Sequence, residues 1–344
     1  MAHHRDLIVV GASAGGVDAL QALVAGLPEN FPAAVLVVLH SAPTGPGLMP
    51  HILSRAGVLM AVEGQDRMAL QPGRIYVAPP DHHLLVSPGH VHVTKGPREN
   101  RSRPAIDPLF RTAAQHYGPR VIGVIMTGML NDGTVGLLEV KRRGGIAIVQ
   151  DPDEAAFPSM PLSALRYVKV DHQVRADEIS SLLVRLTSEE GVTGPLGLDV
   201  PFQLAMESKF AAQETLDEID TMDSIGALAG YSCPECHGPL WRMNGDGPIR
   251  FRCHVGHAYT AEAVLAGQAE SLEANLWDVL RTLEERASLL REMAGQAREM
   301  NLRHEAADWE GRIRFLEKDM VSVRALLTNG TSGETKKNNK KTGT

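Results

Sequence analysis

The chain predicts an α/β fold, a doubly wound and mostly parallel sheet, followed by a small zinc-ribbon-like segment and an α-helical hairpin or coiled coil. Three observations carry this expectation. Short apolar runs alternate with helical periodicities through the first 190 or so residues, the pattern of a parallel sheet covered by helices on both faces. All three cysteines fall between residues 233 and 253, which suits a metal site better than a disulfide framework. From Glu262 onward, apolar residues recur at alternating spacings of four and three, the seam of packed helices.

The elements follow in order. Leu7–Val10 reads as a buried strand that turns through Gly15 and Gly16 into a helix over Val17–Ala25, and Ala34–Leu39 as a second strand. A Gly/Pro-rich loop from Ser41 to Pro50 leads into a helical segment. Arg74–Ala78, His83–Val86 and His90–Thr94 alternate between Pro/Gly turns and predict an antiparallel meander at one sheet edge, with His82, His83, His90 and His92 as solvated turn and edge residues. Asp107–His116 is helical, Val121–Thr127 a strand, Val135–Arg143 a helix closed by Gly144 and Gly145, and Ile146–Gln150 a final core strand. The expected division is 1–190 for the α/β domain, 191–230 for an acidic linker, 231–261 for the Cys/His segment, 262–328 for the helical region and 329–344 for a disordered basic tail. In the helical region, Leu302, Ala306, Trp309, Ile313, Leu316, Met320, Val323 and Leu327 form one seam. Leu272, Leu276, Val279, Leu283, Leu290, Met293, Ala297 and Met300 form another, with a polar gap at Arg286 and Asn301 as the turn of a hairpin.

Composition narrows the function classes. Of 344 residues, 43% are hydrophobic and 22% charged, ordinary for a globular protein of roughly two domains. The net charge of −7 gives no footprint for nucleic acid. No apolar run approaches bilayer length and no signal-peptide core follows Met1, so a cytoplasmic protein without membrane insertion is expected.

In an open α/β sheet, ligands bind beyond the carboxyl ends of the strands. Ser13 follows the first strand, His40 the second, and Asp132 lies just after Val121–Thr127. A hydroxyl, an imidazole and a carboxylate on one rim are the parts of a nucleophile–base–orienter set. Each also has a plain reading, Ser13 and Asp132 as helix caps and His40 as a satisfied strand-end histidine, but their joint occurrence favours catalysis. The N–H of Ala14, at the start of a helix, suits an oxyanion donor. Gly11-Ala-Ser-Ala-Gly15 matches the G-x-S-x-G elbow of α/β-hydrolases, yet the order Ser, His, Asp differs from theirs. A dinucleotide fold would need G-x-G-x-x-G and an acidic end to the second strand, where this chain has His40.

Gly11-Ala-Ser-Ala-Gly-Gly16, Leu39-His40, Arg103-Pro-Ala-Ile-Asp-Pro-Leu-Phe110 and Met126-Thr-Gly-Met-Leu-Asn-Asp-Gly133 together resemble the chemotaxis protein-glutamate methylesterase family (CheB-type), over about residues 6–186. The resemblance implies a CheB-like sheet and hydrolysis of glutamyl γ-methyl esters on methyl-accepting chemoreceptors, with glutamine deamidation as a related activity and no cofactor for catalysis. It implies Ser13 as nucleophile, His40 as general base and acid, Asp132 as orienting carboxylate, and Met129 as a further contributor to the oxyanion site. Members of the family usually carry a receiver domain before the esterase. Ser13 stands too near the start of this chain for one, so control by phosphorylation of the same chain is not expected. Ala14 stands where threonine is usual and Leu130 where glycine is usual, and both touch the lining of the site.

Cys233-Pro-Glu-Cys236 and Cys253-His-Val-Gly-His257, separated by 16 residues, have zinc-ribbon spacing. His257 suits the fourth position better than His237, or than His254 beside Cys253, giving a structural Cys3His zinc site at Cys233, Cys236, Cys253 and His257. The helices read as a surface for partners or self-association. A catalytically idle signalling scaffold, or a serine esterase or amidase with another substrate, remain the alternatives.

Overall fold

A computed structural model describes residues 4–189, 199–214 and 219–329, in two compact units, one ending at Val264 and the other beginning at Leu265. The first unit opens with β1 (Leu7–Ala12), α1 (Gly16–Ala25), β2 (Ala34–Leu39), α2 (Met49–Ala56), β3 (Met60–Glu63) and β4 (Arg74–Val77). It continues through β5 (His83–Ser87), β6 (His90–Thr94), α3 (Ile106–Tyr117), β7 (Val121–Ile125), α4 (Thr134–Arg142), β8 (Ile146–Gln150), α5 (Ser159–Tyr167), β9 (His172–Val174) and α6 (Ala176–Ser188). These build a seven-stranded sheet of order β3-β4-β2-β1-β7-β8-β9, parallel at every pairing.

The central strands are continuous apolar runs because both their faces are covered. Ile8 and Val10 of β1 face α1, α2 and α6, whereas Leu7 and Val9 face α3, α4 and α5. The order β2-β1-β7 sets side by side the three strand ends that precede His40, Ser13 and Asp132.

Several expectations are corrected. Arg74–Ala78 is no part of a meander: β4 lies parallel between β3 and β2, its Ile75, Tyr76 and Val77 all buried. Of the three runs, β5 and β6 alone form an antiparallel pair, which packs on α3 through Leu84, Val86 and Val91. His83 is not a solvated edge residue but fully buried, its Nε2–H donating to the Pro97 carbonyl at 2.9 Å. The final strand is β9 rather than β8; three residues, two of them polar and none buried, on a sheet edge leave no alternating signal.

The stretch expected as an acidic linker holds α7 (Phe202–Ala212) and α8 (Ile219–Ile225). The inward face of α7 includes Glu207 and Ser208 beside Leu204, Phe210 and Ala211, and those polar positions blur its apolar period. β10 (Gly226–Ser232), β11 (Pro239–Met243), β12 (Arg250–Cys253) and β13 (Ala258–Thr260) form a four-stranded antiparallel sheet in that order. Cys253 ends β12, Cys233 and Cys236 lie between β10 and β11, and the small core includes Leu240, Phe251 and Tyr259.

The second unit consists of the remainder of α9 (Ala261–Glu299) and α10 (Arg303–Asn329), with Asn301 in the left-handed region at φ 61°. Arg291–Glu317 at 3.0 Å, Arg324–Glu284 at 2.6 Å and Arg298–Glu310 join the two helices in one antiparallel register. The buried positions of α10, Ala306, Ile313 and Leu316, lie on the expected seam. On α9 the seam is corrected by one residue at alternate positions: Leu280, Ala287 and Ala294 are buried, while Val279 is 46% exposed. That shift replaces the polar gap at Arg286 by Ala287, which lets the helices approach closely. The tail from 330 to 344 lies outside the described residues.

Candidate active site

β1 ends in a turn whose N–H of Ser13 donates to the Thr127 carbonyl at 2.9 Å, while Thr127 Oγ1 donates to the Ala14 carbonyl at 3.0 Å. The N-cap of α1 is Gly15 at φ 73°, a left-handed turn that glycine adopts without strain. A Cβ there would also lie 2.8 Å from that of Ala156. Ser13 is therefore not the cap of the helix, and its hydroxyl is turned elsewhere.

That hydroxyl meets His40 Nδ1 at 3.1 Å, and His40 Nε2 meets Asp132 Oδ2 at 2.7 Å. An ionised carboxylate only accepts, so Nε2 carries the proton and Nδ1 accepts from Ser13 Oγ–H. The three side chains run from a half-buried serine through a histidine 17% exposed to an aspartate 2% exposed.

Asp132 is surrounded by donors. Oδ2 also accepts the N–H of Ile106 at 2.7 Å, and Oδ1 accepts Asn100 Nδ2 at 2.9 Å and the N–H of Gly133 at 3.0 Å. The Asp107 N–H adds a longer bond at 3.3 Å, so the first turn of α3 points its free N–H groups at this carboxylate. Burial by itself would raise the Asp132 pKa; the bond and charge of His40, with Ile106 and Asn100, hold it down at about 2. Asp107 behaves oppositely. Burial and the neighbouring Asp132 charge push its carboxyl well up, and Asn100 donates to both carboxyl groups.

The stretch that follows β7 closes the other side of Ser13. A Cβ on Gly128 would lie 2.8 Å from Ser13 Cβ and 2.1 Å from Met160 Sδ, so the chain passes directly against the serine. Among the described residues, the N–H groups of Ala14 and Met129 have no hydrogen-bond acceptor. Leu130 takes φ 60°, a backbone state that glycine adopts readily and leucine does not. Met129, Leu130 and Phe157 leave an exposed apolar collar beside the site.

Sequence reasoning named Ser13, His40, Asp132, Ala14 and Met129, and the structure brings the first three into one hydrogen-bonded line. It missed Asn100 and the N–H of Ile106. Arg103–Phe110 had been noticed only as a motif, since a backbone donor leaves no mark in a side-chain pattern.

The second constellation is Cys233, Cys236, Cys253 and His257, whose donor atoms all lie within 4.8 Å of one another. Cys236 and Cys253 sulfurs are 3.7 Å apart, and His257 Nδ1 lies 3.7 Å from Cys233 and 3.6 Å from Cys253. A tetrahedral ion with zinc-like bond lengths would separate its ligands by about 3.8 Å for two sulfurs and about 3.6 Å for sulfur and nitrogen. The donor set therefore fits such an ion, and the sulfur spacing is far beyond a disulfide. Neither His237 nor His254 belongs to the cluster.

The CheB methylesterase family model matches residues 8–183, just over half of the chain. A Leptospira interrogans protein, provisionally named protein-glutamate methylesterase/protein-glutamine glutaminase, is 37% identical over 182 residues, which are 53% of this chain and 94% of that one. A Methanosarcina mazei protein-glutamate methylesterase/protein-glutamine glutaminase is 33% identical over 190 residues, and the chain spans about half of its length, 52%. The crystal structure of the Thermotoga maritima CheB methylesterase catalytic domain is similar with a TM-score of 0.51 at 34% identity, covering 53% of this chain and 98% of that one.

Proposed function

Because the chain belongs to the CheB methylesterase family, we propose that it is a serine hydrolase of the protein-glutamate methylesterase type, with glutamyl γ-methyl esters of chemoreceptors as substrates. The observation that carries this reading is the line Ser13 Oγ, His40 and Asp132, with contacts of 3.1 and 2.7 Å.

Ser13 Oγ attacks the γ-carbonyl carbon while its proton passes to His40 Nδ1. Asp132, ionised and fixed by four further N–H donors, stabilises the imidazolium through Nε2–H. The oxyanion is met by the N–H groups of Ala14 and Met129; one such donor is worth about 3–4 kcal/mol of transition-state stabilisation. Collapse expels methoxide, which leaves as methanol with the proton from His40. A water molecule, deprotonated by the same nitrogen, then releases glutamate. Replacing methanol by ammonia as the leaving group gives glutamine deamidation by the same steps. The exposed apolar collar of Met129, Leu130 and Phe157 suits a side chain presented on a protein surface.

Cys233, Cys236, Cys253 and His257 would hold a structural zinc ion, closed by four protein ligands and taking no part in the ester chemistry. The α9–α10 pair is read as a coiled-coil hairpin available for partners or self-association. Among the described residues no helix is long and apolar enough to cross a membrane.

Methanol release from methylated chemoreceptor fragments tests the function. Release by the wild type and none by Ser13→Ala is expected. Equal inertness of both across ester substrates would favour a signalling scaffold instead.

A further inference from the structure

We propose that the Cys/His segment is a positioning element of the esterase site: metal bound at its four ligands keeps Asn100 and Asn131 in place, and through them Asp132. The inference rests on reading Ser13, His40 and Asp132 as the catalytic set.

The coupling is direct. Thr260 N–H donates to Asn100 Oδ1 at 3.0 Å, and the Asn100 N–H donates to the Ala258 carbonyl at 2.7 Å. Asn131, the residue before Asp132, accepts from Thr260 Oγ1 at 2.7 Å and donates to Glu262 at 2.8 Å. Asn100 then gives its amide hydrogens to Asp132 and Asp107. A backbone N–H can only donate, so Thr260 fixes which end of the Asn100 amide faces the two carboxylates. Without it the amide can turn over and set its oxygen against them. Asn100 and Arg101 are also consecutive non-glycine residues in the left-handed region, at φ 48° and 68°. Arg101 adopts that state less readily than Asn100, and the pairing of Asn100 with Ala258 and Thr260 of β13 holds the turn at its first residue.

The metal ligands are spliced into the same few residues. Cys253 follows Arg252 and His257 precedes Ala258. Arg252, 1% exposed, bonds the Gly256 carbonyl within the ligand loop at 2.7 Å, and reaches Glu99 at 3.1 Å and Glu207 at 3.3 Å. Glu99, next to Asn100, is paired in turn with the buried Arg111 of α3. The ligand loop is thus tied at one end to Glu99 and at the other to Asn100. The core of the segment contains two of the cysteines themselves, Cys233 and Cys253, so a metal that gathers them would also determine whether β12 and β13 keep this shape.

The test uses the full chain. Zinc content, kcat and KM for methyl-ester hydrolysis, and the NMR signal of the His40 Nε2 proton, identified by its loss in His40→Gln, are followed before chelation, after it and after zinc is returned. Chelation is expected to remove a near-stoichiometric zinc, abolish the sharp His40 signal and lower kcat about tenfold or more with KM little changed; zinc restores all three. Thr260→Val keeps every metal ligand but loses the hydroxyl bond to Asn131. It is expected to retain zinc and lower kcat several-fold, with Thr260→Ser close to wild type. Full kcat and an intact His40 signal without metal would overturn the proposal, as would purified protein free of metal or identical behaviour of Thr260→Val and Thr260→Ser. If metal-loaded protein hydrolyses no ester, the triad reading fails, while the His40 signal still decides the positioning claim.

Discussion

Around Ser13, small differences in side-chain size and backbone state decide what the site can tolerate. Ser13→Ala removes the nucleophile while leaving the Ser13 N–H bond to Thr127 in place, so ester hydrolysis is expected to fall by at least about a thousandfold with thermal stability little changed. Gly128→Ala places a methyl group against Ser13 Cβ and Met160 Sδ; a stability loss of about 1–3 kcal/mol and a reduced kcat are expected in denaturant titrations and steady-state assays. Leu130→Gly goes the other way. It relieves a left-handed leucine, and a gain of about 0.5–1 kcal/mol in urea unfolding is expected because the relief exceeds glycine's entropy cost. A loss there would show that the Leu130 side chain is itself needed.

At the level of elements, strands and site were legible to different depths. β1, β2, β7 and β8 stood out because strands buried on both faces must be continuous apolar runs, and the strand-end rule then picked out Ser13, His40 and Asp132. α7 was hidden because Glu207 lies on its buried face, and no sequence pattern shows that Arg111 of α3 and Arg250 and Arg252 of β12 come together to meet it. The α9 seam slipped by one residue because Val279 and Met293 stand beside the buried Leu280 and Ala294, and alanine at 287 and 294 is a weak apolar signal. Glu207 and Asp132 give a pH dependence of one sign, opposed by Asp107, whose raised carboxyl works the other way. Burial opposes ionisation of Glu207, but the three arginines hold its pKa at about 2 against an ordinary 4.5, and Asp132 lies at about 2 against 3.8. Groups with lowered folded values stabilise the protein above their ordinary pKa and lose that contribution as pH falls toward the folded value. Urea midpoints are therefore expected to drop from about pH 4.5 down to about pH 2, with a shallower dependence in Glu207→Gln. An unchanged slope in that variant would place the acid sensitivity elsewhere.

Across the whole molecule, the four-stranded Cys/His sheet shares a compact unit with the large parallel sheet, and the long helices form the second unit. The exposed Arg–Glu pairs between α9 and α10 mark a register more than they stabilise it, since such pairs contribute less than about 1 kcal/mol each. What unites the first unit is a chain of contacts from the ligand loop through Thr260 and Asn100 to Asp132, His40 and Ser13. In this mechanism Ser13 carries the acyl group during turnover. Rapid-quench mass spectrometry with a methyl-esterified receptor peptide measures this directly. A transient adduct on the Ser13 peptide, with the mass of the substrate less methanol and appearing with the first equivalent of methanol, is the expected result. Methanol released without that adduct, or an adduct on another residue, would contradict it.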